Sequence, residues 1–187
     1  MKIFVTFLTL YLAFSFSARG AATQDRAAGQ GAGPRLTVRA RGRGLVLSEG
    51  GRRHALALGG QIDAARVEDV SLLFVTRRAD FTYLLLDVCG PSKARPDDRQ
   101  CGAGVECNLV WVKVDGLWRV SVSPRSVRYE SCWLPITSAD GYKVEGRVLR
   151  MQYSDLREQK EYRLIYDAEQ PEQGFVVEES PASDNPR

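Results

Sequence analysis

The sequence predicts an all-β protein, a single antiparallel β-sandwich or β-barrel of about nine or ten strands stapled by disulfides. Three observations carry that expectation. Apolar, β-branched and aromatic runs alternate with Gly, Pro, Asp and Ser turns along the chain. Only residues 61–69 have a composition open to helix, and nine residues are marginal for one, which leaves a single turn or an extended edge. All four cysteines (89, 101, 107 and 132) fall within one quarter of the chain, around what reads as adjacent strand ends.

The amino end reads as a targeting segment. Lys2 precedes an apolar run at 3–16, and Ala18, Gly20, Ala21 and Ala22 supply the small residues of a cleavage site. The apolar run is about fourteen residues, short of the roughly twenty that cross a bilayer. We therefore expect a signal peptide over 1–20, a glycine-rich lead-in over 21–34, a β domain over 35–178 and a polar tail over 179–187. Lys2 and Arg19 account for two of the formal charges in a net +3, so cleavage leaves a nearly neutral protein.

Residues 36–41 alternate apolar and polar, which is a strand with a polar outer face. Gly42 and Gly44 break it. Residues 45–47 and 55–58 flank Ser48-Glu49-Gly50-Gly51, a hairpin turn. The runs 70–76 and 81–88 form a second hairpin, and their near-continuous apolarity implies strands covered on both faces. Asp115-Gly116 between 108–114 and 117–123 is the signal of a two-residue turn, which sets Val114 opposite Leu117 and Lys113 beside Trp118. Residues 127–134 make a short strand. Residues 142–153 read as one long strand whose parity shifts near Val148, accounted for by a β-bulge. Residues 161–167 and 174–178 complete the set.

Four cysteines allow three pairings. If the strands ending at Cys89 and starting at Cys107 are antiparallel neighbours, those two meet at one rim, leaving Cys101 for Cys132. The competing arrangement joins Cys101 to Cys107 and Cys89 to Cys132. The spacing lacks the tight pairs of a zinc site, so neither metal nor cofactor is expected. Export and an even thiol count agree on an oxidising compartment, secreted or periplasmic.

No catalytic constellation stands out. His54 is the sole histidine and lies by a strand, with no G-x-S-x-G, H-E-x-x-H or P-loop in the chain. Two stretches are candidates for binding. One is an arginine ribbon: Arg39, Arg41 and Arg43, with Arg52 and Arg53 on the next hairpin. The other is the long loop before Cys107, with Lys93, Arg95, Asp97, Asp98 and Glu106, where Gly102 and Gly104 suit a backbone nest for an anion. From Arg35 to Arg66 seven arginines face two acids, whereas from Asp155 onward nine acids face four bases. Nucleic acid is disfavoured because no aromatic lies among the arginines to stack on bases. The expectation is an exported monomer that binds a protein or an anionic glycan or envelope component. The alternatives are a hydrolase using carboxylates among Asp87, Asp97, Asp98, Glu106 and Glu130, or a structural envelope subunit.

Overall fold

The computed structural model describes residues 35–58, 60–94, 101 and 104–180. They form three antiparallel sheets. The first is a meander of β1 (Thr37–Arg41), β2 (Gly44–Glu49) and β3 (Arg52–Leu56). Gly50 and Gly51 both have positive φ, 54° and 79°, which a two-residue turn between right-twisted strands demands. The second sheet is also a meander, of β4 (Asp69–Arg77), β5 (Phe81–Pro91), β6 (Val105–Asp115) and β7 (Arg125–Ser131). The third holds β8 (Ile136–Thr137), β9 (Tyr142–Glu145), β10 (Val148–Asp155), β11 (Lys160–Asp167) and β12 (Phe175–Glu179). Its order is β12-β11-β10, and β8 and β9 pair with different stretches of β10. A 3-10 turn, Pro171–Gln173, leads into β12.

Strand alternation explains the layering. Leu84, Leu86 and Val88 of β5 and Val110, Val112 and Val114 of β6 pack with Leu45, Leu47 and Leu56 of the first sheet. Their neighbours Leu85, Leu109 and Trp111 face the other way, onto Leu149, Met151, Leu164 and Tyr166 of the third sheet. The second sheet is thus the middle of a three-layer sandwich, and no sheet closes into a barrel. Both of its faces are covered, as the near-continuous apolarity of β4 and β5 anticipates: Leu72 and Val75 join Leu84 and Leu86 on one face, and Leu73 and Phe74 join Leu85 on the other. Burying each of these Leu or Val side chains contributes roughly 1.5–3 kcal/mol. All described residues belong to one compact unit.

Among the described residues twelve strands replace the expected nine or ten, and three local expectations are corrected. The first concerns the hairpin at Asp115-Gly116. Asp115 pairs with Arg119, its amide donating to the Arg119 carbonyl at 3.0 Å, and Val114 bridges Val120 instead of Leu117. The Asp115 carboxylate accepts the amides of Leu117 and Arg119 at 2.9 Å each, which holds a three-residue loop closed by Trp118 at φ 62°. Residues 117–123 are therefore not a strand, and Lys113 lies over the Phe81 ring, 3.8 Å from its centroid. The side-chain cap on two amides outcompeted the tighter turn.

The second correction is at residues 142–153. The chain reverses there: Glu145 pairs with Val148 across Gly146 (φ 62°) and Arg147, so the parity shift marks a hairpin and not a bulge. Third, residues 61–69 contain no helix and follow the alternative of an extended edge. Ile62, Ala64 and Val67 instead plug the open end of the first core cluster. An isolated bridge, Ala64 to Ser92, holds this segment, as do amides of Ala65 and Glu68 donating to the carbonyls of Pro91 and Cys89.

The structure pairs Cys89 with Cys107 and Cys101 with Cys132. Cys89 and Cys107 are direct cross-strand partners on β5 and β6, with Cα atoms 4.2 Å apart. No helix among the described residues is long and apolar enough to cross a membrane. The expected leader (1–20), the lead-in (21–34) and most of the tail (181–187) lie outside the described residues.

Candidate anion-binding face

The first sheet presents one face to the core and one to solvent. Val38, Leu45, Leu47 and Leu56 point inward. The opposite phase places Thr37, Ser48 and Arg53 in one cross-strand row, Arg39, Val46 and Ala55 in the next, and Arg41 beside Gly44 in a third. The side chains between the arginines are small, so the guanidinium groups rise from a shallow floor. Strand spacing puts the Arg39 and Arg53 backbones about 12 Å apart, within joint reach of one extended ligand. Arg43 extends the face at the β1–β2 turn. Arg52 belongs to the inward phase, at the exposed end of β3. All five are exposed.

Among the described residues, none of these five arginines has an ion pair. The one acid on this sheet, Glu49, is taken by Arg77 of β4. Unpaired like charges raise the potential over such a face and draw anions to it. Among the described residues, the strands of the acidic stretch from Asp155 onward belong to the third sheet, which packs on the opposite face of the middle sheet.

The other sequence-predicted candidates behave differently. Arg95, Asp97, Asp98 and Gly102 lie outside the described residues. Lys93 pairs with Asp63. Glu106 is fully buried and saturated: its Oε1 accepts from Ser92 Oγ at 2.7 Å and the Cys132 amide at 3.2 Å, and its Oε2 accepts from Ser131 Oγ at 2.6 Å. It binds the loop to the ends of β6 and β7. Gly104 is no anion nest. Its amide donates to the Cys101 carbonyl and its carbonyl accepts from Ser92. A Cβ on Gly104 would stand 2.4 Å from that of Cys132, so glycine is needed there for the disulfide to pass.

Asp87, one of the carboxylates of the hydrolase alternative, sits in a cluster whose other members the sequence did not single out. Its carboxylate accepts from Tyr129 at 2.8 Å and Tyr142 at 3.1 Å, joining β5, β7 and β9 beside the Cys89–Cys107 bridge. Burial raises the Asp87 pKa, the two tyrosine hydrogen bonds oppose that, and Asp69 and Glu130 add to it. The same burial and the Asp87 charge push both tyrosines well above the usual phenol range. No motif marks this site, because its three members are brought together only by sheet packing. Asp87 lies on the third-sheet side of the middle sheet and Glu106 on the first-sheet side, since it pairs opposite Gly90. The two cannot flank one glycosidic bond. His54 is occupied too, stacked on Trp118 with ring centroids 5.6 Å apart.

No family model, curated protein or solved structure matches this chain.

Proposed function

We propose that this protein is an exported binding module whose outer arginine sheet captures an anionic ligand, an envelope component or an acidic protein, in the secreted or periplasmic space. One observation supports the reading above the rest: Arg39, Arg41, Arg43, Arg52 and Arg53 are exposed on one small sheet with no counter-ion among the described residues. The two disulfides and the composition of residues 1–20 agree with export.

The test is retention on immobilised heparin, a soluble sulfated chain, against a salt gradient. The parent protein is retained and released by salt, and the variant Arg39→Gln/Arg41→Gln/Arg53→Gln elutes at clearly lower ionic strength with an unchanged circular dichroism spectrum. If all five arginines are replaced by glutamine and elution does not move, the arginine face is not the binding surface.

A further inference from the structure

The loop at residues 116–122 is difficult to account for as a mere connection. It exposes three aliphatic side chains, Leu117 at 69%, Val120 at 38% and Val122 at 44%. It is also built to hold its shape. Asp115 caps it through two amides and binds the Arg119 guanidinium at 2.8 Å, which neutralises the one cation on the loop. Trp118 holds a left-handed backbone, unusual for a bulky residue and costly without outside support. That support is the stack on His54 of β3, which fastens the loop to the arginine sheet. Arg52 lies two residues from His54 on the same strand face, and Arg53, next to it on this edge strand, faces the outer side with Arg39 and Arg41. An apolar loop, capped by Asp115 and stacked on His54, therefore stands at the edge of a basic strand with no ion pair among the described residues.

We propose that this edge docks on an anionic lipid surface, with Arg52 and Arg53 at the headgroups and Leu117, Val120 and Val122 entering the acyl boundary. The proposal rests on the arginine face as a binding surface and names its partner. A soluble polyanion would use the arginines but gain nothing from three aliphatic side chains. A lipid leaflet uses both, since aliphatic burial and headgroup charge add in interfacial binding. Each methylene buried is worth roughly fourfold in partition, and each arginine held near an anionic surface about fivefold.

The experiment compares the full chain with Leu117→Ser/Val120→Ser/Val122→Ser and with Arg52→Gln/Arg53→Gln, on phosphatidylglycerol–phosphatidylcholine vesicles and on heparin. The parent is expected to bind anionic vesicles and not pure phosphatidylcholine. The loop variant should lose at least tenfold in vesicle affinity while keeping its elution from heparin, and the arginine variant should weaken on both. The changed loop side chains are exposed, so near-ultraviolet circular dichroism should stay that of the parent. Vesicle affinity unchanged in the loop variant overturns the lipid proposal, as does a parent that binds heparin but no vesicle. A parent that binds neither overturns the underlying arginine reading as well.

Discussion

Glu106 offers the sharpest test of the architecture, because a charged side chain with no exposure must either be satisfied or wreck the fold. Three donors converge on it, from Ser92, Ser131 and Cys132, and Arg128 Nε stands 3.9 Å from Oε2. Glu106→Gln preserves volume. The amide oxygen keeps the Ser92 and Cys132 bonds, and Ser131 Oγ reverses to accept from the new NH2. Charge-assisted bonds become neutral ones, a loss of about 2 kcal/mol in all. Glu106→Leu strands every donor in the interior at about 1–3 kcal/mol each, so about 5 kcal/mol is expected. That equals the whole stability of a weak domain. Urea unfolding followed by tryptophan fluorescence measures both, with the m-value as a check that the transition remains two-state. If Glu106→Leu is as stable as Glu106→Gln, or both lie within about 0.5 kcal/mol of the parent, the network does not hold the loop.

Two further outcomes follow from the same geometry. A Cβ at position 90 would sit 1.9 Å from the Arg66 carbonyl oxygen and 3.0 Å from the Ala64 side chain. Gly90→Ala should therefore push residues 64–68 off β5, breaking the Ala65 and Glu68 backbone bonds at a cost of about 3–5 kcal/mol. Hydrogen exchange should show amides 65 and 68 losing protection first, and unchanged protection would contradict the close approach. For Asp87, the folded-state pKa is raised by burial, so between the ordinary aspartate value and that raised value the folded protein holds more protons than the unfolded chain. Its contribution to stability grows as pH falls through the folded pKa and is complete below the ordinary one. Urea unfolding of the parent and of Asp87→Asn between pH 7 and pH 4 should show the difference moving in the parent's favour as pH falls. The opposite slope would mean that the tyrosine hydrogen bonds outweigh burial.

Much of this protein was determined by local chemistry along the chain. The covered middle sheet could be read in the near-continuous apolar runs of β4 and β5, because a strand exposed on one face must alternate and these hardly do. The arginine phase of β1 was legible for the converse reason. Paired glycines at 50 and 51 marked a tight turn because only they accept positive φ without cost. Tertiary structure decided the rest, wherever two local solutions were close in energy or the partners were far apart in sequence. Asp115 chose between two turns by capturing two amides, and His54 steadied the left-handed Trp118 from a strand more than sixty residues away. Asp87, Tyr129 and Tyr142 form one site only because β5, β7 and β9 converge, and Glu106 became a structural anchor only when three distant donors closed on it. Side-chain periodicity records which face is buried; which residues meet there is a property of the packed sheets, and no single stretch of chain contains it.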